Sequence, residues 1–336
     1  MTAADPLAQR LFRALAGAAS RDAPRRWLSG TALAHTLGVS RSAVWKAAGA
    51  LRAQGLALEA LPRQGYRLRQ PVVALDAGLI REALQGSACG TLRRGDCLWM
   101  TGSTNADLLS VDSPPPGEFD FRAAEIQSDG RGRRGRRWLA PPGGGLCLSW
   151  SRSFDALPPQ AGALSLAVGV TALRALRRFG IGGVGLKWPN DLVTPEGKLG
   201  GILVELRSEA GRALHVVVGI GLNLALDAAV LQDVEASGNR ATDCAALGSV
   251  PDRNALAATL IEEGLRGLAN FERHGFAPFQ PEYAAADSLA GLAVVVHGTA
   301  PRSGTALGVD GDGALRLKTG TGIERILSGD VSVRPA

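Results

Sequence analysis

Gly130-Arg131-Gly132-Arg133-Arg134-Gly135-Arg136-Arg137-Trp138 places five arginines and three glycines in nine positions. No apolar face runs through it at a strand or helix period, so it is not a core element. Glycine permits positive φ and close approach of backbone to a ligand. Arginine supplies forked, permanently charged donors that suit carboxylates and phosphates. The stretch reads as a mobile loop that closes over an anion, although a solvated basic loop or a nucleic-acid patch has the same composition. Gly130, Gly132 and Gly135 also satisfy the G-x-G-x-x-G spacing of dinucleotide folds. Residues 121–126 supply an apolar strand before it, but Pro141-Pro142 and Gly143-Gly144-Gly145 stand where the required helix would run. Arginines between the glycines would also crowd a pyrophosphate. A Rossmann fold is therefore excluded, and anions must be held in another way.

A chain of 336 residues suggests two or three domains, and 46% hydrophobic residues can build their cores. No run of about 18 apolar residues occurs, so no membrane span is expected. Residues 1–10 are polar and carry Asp5, unlike a secretory signal. Cys89, Cys97, Cys147 and Cys244 lie far apart without paired spacing, which fits reduced thiols in a cytoplasm. His35, His215, His274 and His297 are equally scattered, so no protein-held metal site is expected. The net charge of +6 is uneven: eleven basic and three acidic side chains leave residues 1–70 at +8 and the remainder at −2. A polyanion would therefore meet the N-terminal part. Only Lys46, Lys187, Lys198 and Lys318 are lysines among 37 basic residues, so a lysine here can mark a place that wants a compact point charge.

Leu7, Leu11, Phe12 and Leu15 recur at helical spacing. A second helix is expected over residues 31–37, capped by Ser29 or Thr31, and Gly38-Val39 makes a turn. Ser40 then caps a third helix with Val44, Ala47 or Ala48, and Leu51 as its buried stripe, and Gly55 as its end. Its outer face presents Arg41, Ser42, Trp45, Lys46 and Arg52. Residues 56–68 form two short apolar runs broken at Pro62-Arg63-Gln64-Gly65, a hairpin. The order resembles a winged helix-turn-helix, whose third helix enters the DNA major groove by its N-terminal end. On that reading Ser40, Arg41, Ser42, Trp45 and Lys46 form the DNA-binding face, while Arg63 and Arg67 on the wing meet phosphates. A small helical docking module is the competing reading. Gly49 in mid-helix costs about 0.5–1 kcal/mol relative to alanine, and Ala47-Ala48 thins the helix, so a degenerate DNA-binding domain stays open.

Gln70-Pro71 reads as a linker, followed by a helix over residues 75–85 and a strand over residues 96–100. Thr101-Gly102-Ser103-Thr104-Asn105 is a turn of small polar groups, able to bond an uncharged polar ligand or simply to cap a helix beginning near Asn105. Beyond the arginine stretch come a strand over 146–151, a helix over 160–179, a strand over 184–188 stopped by Pro189, two long apolar strands over 199–206 and 214–226, and a helix over 254–273. From Leu289 onward, short β-runs alternate with Gly- and Asp-rich turns, indicating a small barrel.

Three blocks stand in order: the arginine stretch, Lys187-Trp188-Pro189-Asn190-Asp191-Leu192, and Gly197-Lys198-Leu199-Gly200-Gly201-Ile202-Leu203-Val204-Glu205. Together they closely resemble the biotin–protein ligases. With the winged helix they resemble the bifunctional bacterial form, ligase and biotin operon repressor in one chain. The resemblance implies an α+β multidomain protein. Residues 1–70 would be the winged helix-turn-helix, 71–286 a central mixed-sheet ligase domain of the biotin/lipoate ligase class, and 287–336 a C-terminal SH3-like β-barrel. It implies that biotin and ATP, with Mg²⁺, give biotinyl-5′-adenylate and pyrophosphate. The biotinyl group then passes to one lysine of a biotin carboxyl carrier domain. No G-x-x-x-x-G-K-[ST] loop is present, so ATP is held otherwise.

By resemblance, Ser103, Thr104 and Asn105 border the biotin pocket and Gln127 hydrogen-bonds the ligand. Arg131, Gly132 and Arg133 fold over the biotin carboxylate and the adenylate phosphate. Lys187, catalytic with Arg133, would neutralise the two reacting anions. Trp138, Asn190, Asp191 and Lys198 would help hold the nucleotide, with Trp188 either covering it or packing. Asp129 departs from the small uncharged residue expected before Gly130. A DNA operator and a homodimer through the central sheet complete the implied partners. A regulator that senses a ligand without transferring it, and a lipoate ligase, are the alternatives. If the arginine stretch gathers around an anion, trypsin should cut within residues 131–137 in the free protein, and biotin plus ATP should suppress that cutting. Equal rates in both states would reject a closing loop.

Overall fold

The computed structural model describes residues 6–18, 26–156, 160–208, 213–298, 300–327 and 329–333. Asp5, Arg21, Asp22 and Arg25 of the N-terminal charge count, and residues 334–336 of the expected barrel, lie outside them. The chain begins with α1 (Pro6–Ala18), α2 (Gly30–Leu37) and α3 (Arg41–Ala53), then the antiparallel hairpin β1 (Leu58–Leu61) and β2 (Gly65–Leu68). Ser29 accepts from the Ala32 N–H at 3.0 Å and Ser40 from the Ala43 N–H at 3.2 Å, so each serine caps its helix. Leu11, Phe12 and Leu15 of α1 are buried in one cluster with Leu33, Leu37, Val44, Ala47, Ala48 and Leu51. Both alanines expected to thin the third helix therefore face inward. Gly49 does not interrupt it.

The central domain follows with α4 (Ala77–Ala83), α5 (Ser87–Thr91), β3 (Leu92–Thr101), α6 (Thr104–Leu109), β4 (Phe119–Gln127) and β5 (Gly145–Phe154). Then come α7 (Leu164–Arg178), β6 (Gly185–Lys187), β7 (Asp191–Val193), β8 (Lys198–Arg207), β9 (Leu214–Asn223), α8 (Ala228–Ala236), α9 (Arg253–His274) and α10 (Gln280–Ala286). Seven strands form one mixed sheet in the order β3-β4-β5-β9-β8-β7-β6, with only β3 and β4 parallel. The C-terminal unit is a five-stranded antiparallel sheet of β10 (Ala293–His297), β11 (Arg302–Val309), β12 (Leu315–Thr319), β13 (Gly322–Ile326) and β14 (Asp330–Val333), in the order β13-β12-β11-β10-β14.

The two faces of the central sheet differ. On one, Leu148 and Trp150 of β5, Val218, Ile220 and Leu222 of β9 and Ile202 of β8 share a large core with α7 and α9. Glycines let α9 lie close: a Cβ at Gly264 would sit 2.3 Å from Trp150 Cζ2, and one at Gly267 2.4 Å from Thr171 Cγ2. Because side chains alternate along a strand, Cys147, Ser149, Gly219 and Gly221 belong to the other face.

Several elements escaped the sequence. Helix α8 has no buried residue, so it shows no full apolar stripe. Strand β7 is three residues long, and α10 is a single short helix entered through Pro281. The expected strand over 184–188 ends at Lys187, and Trp188 lies buried in the turn, donating Nε1–H to Gly313 O at 3.0 Å. Trp188 thus packs against the C-terminal unit. The N-terminal domain also joins the central domain directly. Phe12 of α1 meets Trp99 of β3 with ring centroids 5.3 Å apart, and Arg69 bonds Asp227 at 2.9 Å. Gly264→Ala should destabilise the protein by about 1–3 kcal/mol, since the added methyl must push Trp150 out of a full core. Chemical denaturation that finds no loss would contradict this packing.

Candidate functional site

The sheet face opposite the core is floored by glycine. Gly201 of β8 pairs with Gly221 of β9, and Gly219 pairs with Ser149 and with Leu203. A Cβ at Gly221 would lie 2.3 Å from Trp138 Cε2, and one at Gly219 2.2 Å from Asn105 Oδ1. Glycine at both positions lets a tryptophan and a helix start rest on bare backbone. Ser103 caps α6 by accepting from the Ala106 N–H at 3.4 Å, which brings Thr104 and Asn105 over the floor. The Thr104 N–H donates to Gln127 Oε1 at 2.8 Å, and the Thr104 hydroxyl donates to the same atom at 3.1 Å. Ser149 Oγ lies 2.7 Å from Thr104 Oγ1 and 2.6 Å from Asn105 Oδ1. Asn105 Nδ2 donates to Leu203 O and, at 2.7 Å, to Glu205 Oε2. Hydroxyls and amides thus line this end of the floor, as recognition of a neutral polar head requires. Of the expected pocket residues, Ser103, Thr104, Asn105 and Gln127 are brought together here. Ser149, Glu205 and the two β9 glycines were missed. Gly219-Ile220-Gly221 inside a long apolar run was the available signal for the glycines, since glycine in a strand marks close backbone approach.

The arginine stretch folds into a hairpin rather than a formless loop. The Trp138 N–H donates to Gly130 O at 2.8 Å, the Gly132 N–H donates to Arg136 O at 2.6 Å, and Arg131 bridges Arg137. Arg134 takes the left-handed conformation, φ +56°, at its tip. Arg131 pairs with Asp129 at 2.6 Å, which relieves charge repulsion, and Arg134 donates to His297 O at 3.2 Å. An anion that recruits Arg131 must take it from Asp129. Arg133 lies in the same turn, half-buried.

Lys187, Asp191, Gly201 and Gly221 are cross-strand partners in one row, so their side chains leave the same face. The Lys198 ammonium sits 2.6 Å from Asp191 Oδ1 and 5.7 Å from the centroid of the Trp138 ring. Trp138, Lys198 and Asp191 therefore converge beside the glycine floor. Asn190 donates from Nδ2 to Ile202 O at 2.7 Å, and its backbone carbonyl accepts from the Ile202 N–H at 2.9 Å, which clamps the turn to β8. Burial pushes the thiols of Cys97, Cys147 and Cys244 up to about 12, so none is a thiolate nucleophile at neutral pH. Among the described residues no three His, Cys, Asp or Glu side chains group to hold a metal ion.

On the N-terminal domain, Arg41, Ser42, Lys46 and Trp45, the last 68% exposed, line the open face of α3, with Ser40 at its start. Arg63 lies exposed at the hairpin tip with φ +64°. Arg67 differs from the free phosphate donor expected, being held by Glu59 at 2.5 Å and stacked 4.5 Å over Trp27.

Residues 100–223 match the biotin/lipoate A/B protein ligase family, residues 21–67 an HTH domain, and residues 294–334 the biotin protein ligase C terminal domain. The bifunctional ligase/repressor BirA of Escherichia coli K12 is 36% identical over 310 residues, covering 92% of this chain and 93% of that protein. This chain belongs to the biotin protein ligase family. The HTH match lies at its N-terminus, and the similarity to the ligase/repressor covers nearly the whole chain. Bacillus subtilis BirA is 30% identical over 319 residues, 93% of this chain and 95% of that protein. The biotin protein ligase of Aquifex aeolicus, solved with biotin and ATP, superposes with a TM-score of 0.61 at 27% identity, covering 73% of this chain and all of that one. No helix among the described residues is long and apolar enough to cross a membrane.

Gly221→Ala should displace Trp138 without unfolding the sheet. The expected outcome is unchanged circular dichroism with faster tryptic cutting of residues 131–137. Unchanged cutting would contradict the seat assigned to Trp138.

Proposed function

We propose that this chain joins biotin to ATP and transfers the biotinyl group to one lysine of a biotin carboxyl carrier domain, and that it represses transcription when loaded. What carries the reading is the convergence of Lys198, Asp191 and Trp138 beside a glycine floor, next to a wall of hydroxyl and amide groups. Ser103, Thr104, Asn105 and Gln127 take the uncharged polar head of biotin. A biotin carboxylate oxygen attacks the α-phosphorus, a P–O bond to the β-phosphate breaks, and pyrophosphate leaves. In the second step the carrier's neutral ε-amine attacks the acyl carbon, AMP leaves, and the amine loses its proton.

Two anions must meet in the first step, so fixed cations carry the catalysis. Arg131 and Arg133, with the Gly132 backbone, fold over the carboxylate and the phosphate. Lys187 and Lys198 stand as the two point charges, and the contact of Lys198 with Trp138 and Asp191 favours a larger share for Lys198 than its sequence position alone suggests. Trp138 covers the nucleotide, and Asn190 acts by fixing the turn that carries Asp191. Magnesium is commonly held by one or two carboxylates plus substrate phosphates, so Asp191 suits it without a protein cage, and the ion would spread phosphate charge. Residues 1–70, 71–286 and 287–336 are the working divisions. The free thiols suit a cytoplasmic protein. The loaded form pairs through the central sheet, where the outer edge of β3 has no strand partner among the described residues.

Lys198→Ala and Lys187→Ala should each lower biotin-dependent ATP–pyrophosphate exchange by at least about 100-fold, as expected when about 3 kcal/mol of charge stabilisation is lost. Near-normal exchange in either variant would remove that lysine from the reaction. Ser40, Arg41, Ser42, Trp45 and Lys46 face the operator, with Arg63 and Arg67 on its phosphates; Arg67 must first leave Glu59. Arg63→Ala should weaken binding to all DNA sequences and lower the salt slope by about 1, whereas Arg41→Ala should relax sequence preference. Footprints on upstream regions no tighter than on random DNA would defeat the repressor half alone.

A further inference from the structure

Glu125 and Arg253 form an ion pair with side chains only 5% and 4% exposed, and no step above uses it. The guanidinium meets the carboxylate as a fork, with Nη1 3.1 Å from Oε1 and Nη2 2.8 Å from Oε2. Each oxygen accepts one further N–H: Leu75 at 2.8 Å on Oε1 and Gly143 at 3.2 Å on Oε2. All four acceptor directions of the carboxylate are filled. Burying two charges gains little stability, because desolvation offsets their attraction, so what the pair fixes in space matters more.

It fixes the point where the arginine hairpin returns to the sheet. Gly143 follows Pro141-Pro142 with φ +73°, and a Cβ there would lie 2.7 Å from Val72 Cγ1. Glu125 sits on β4 two residues before Gln127, whose side chain holds Thr104. The Leu75 N–H comes from the segment joining the DNA-binding domain to α4. Arg253 also grips that segment by donating to Val73 O, and Asn254 does so by accepting from the Asp76 N–H at 2.9 Å and donating to Ala74 O at 3.1 Å.

We propose that Glu125, oriented by Arg253, is a positioning residue for the arginine loop. Through the Gly143 N–H it holds the loop's C-terminal anchor at a fixed place beside Gln127, so that residues 130–138 close over the adenylate. It touches no reacting atom. The interdomain segment is fastened to the same carboxylate, which ties the DNA-binding domain to the loop's anchor. The inference rests on the adenylation reading above and adds a residue to it.

The test is the double variant Glu125→Gln/Arg253→Met, which removes both charges together and leaves no uncompensated one. With biotin, ATP and Mg²⁺ present, three results are expected. Biotinyl-adenylate leaves about tenfold faster, as losing a charge-assisted hydrogen bond implies. The KM for biotin rises. Trypsin cuts residues 131–137 nearly as fast as in the ligand-free protein, although the melting temperature stays close to wild type. Glu125→Asp keeps the charge but withdraws it by one methylene, and it should show the same loss of protection; it decides the matter if the double variant does not fold. A folded variant that retains adenylate and shields the loop like wild type overturns the positioning role. Wild type without biotin-dependent exchange would defeat the adenylation reading itself, and the positioning role with it.

Discussion

A sheet whose two faces do opposite work underlies everything else in this molecule. Leucine, isoleucine, valine and Trp150 fill one face and bind it to α7 and α9, supplying the apolar burial that stabilises the domain. The other face carries glycine at 201, 219 and 221, where side chains would crowd Lys198, Asn105 and Trp138 in turn. A ligand floor of this kind is rigid because its strands are anchored from behind. Its glycines leave bare backbone on which Trp138 and Asn105 rest.

Charge follows the same division between fixed and exchangeable parts. Arg131 is parked on Asp129, Arg134 on His297 O, and Lys198 on Asp191. These partly exposed pairs are weak in solvent, so a multiply charged anion can exchange them at small cost. Glu125–Arg253 is the contrasting case, a buried pair whose carboxylate accepts four hydrogen bonds, and it is suited to fixing geometry rather than to exchange. The site therefore joins exchangeable cations to a fixed frame.

Much of this was legible in the sequence. The three helices and the wing followed from apolar spacing and from Ser29 and Ser40 as caps. The glycine–proline run after Trp138 excluded a dinucleotide fold, and the lysine-bearing blocks carried the resemblance to the ligases. What was not legible depends on distant contacts. Trp188 could cover a ligand or pack, and only the position of Gly313 decides between them. The clamp of Asn190 on Ile202 joins residues that sequence spacing does not pair. Helix α8 has no fully buried residue and so leaves only a weak apolar trace. The sequence also separates a DNA-binding stretch before residue 70 from chemical blocks beyond residue 100. In the structure Phe12 on Trp99 and Arg69 on Asp227 join the two parts.

On this account the glycine-floored face, closed by the arginine hairpin, builds and holds an acyl-adenylate of biotin. Native mass spectrometry of the full chain after incubation with biotin, ATP and Mg²⁺ weighs that species itself. The expected result is one equivalent of biotinyl-5′-adenylate retained per chain, with pyrophosphate released and no adduct when lipoate replaces biotin. An unmodified chain with biotin and ATP unconsumed, or an adduct with lipoate alone, would overturn it.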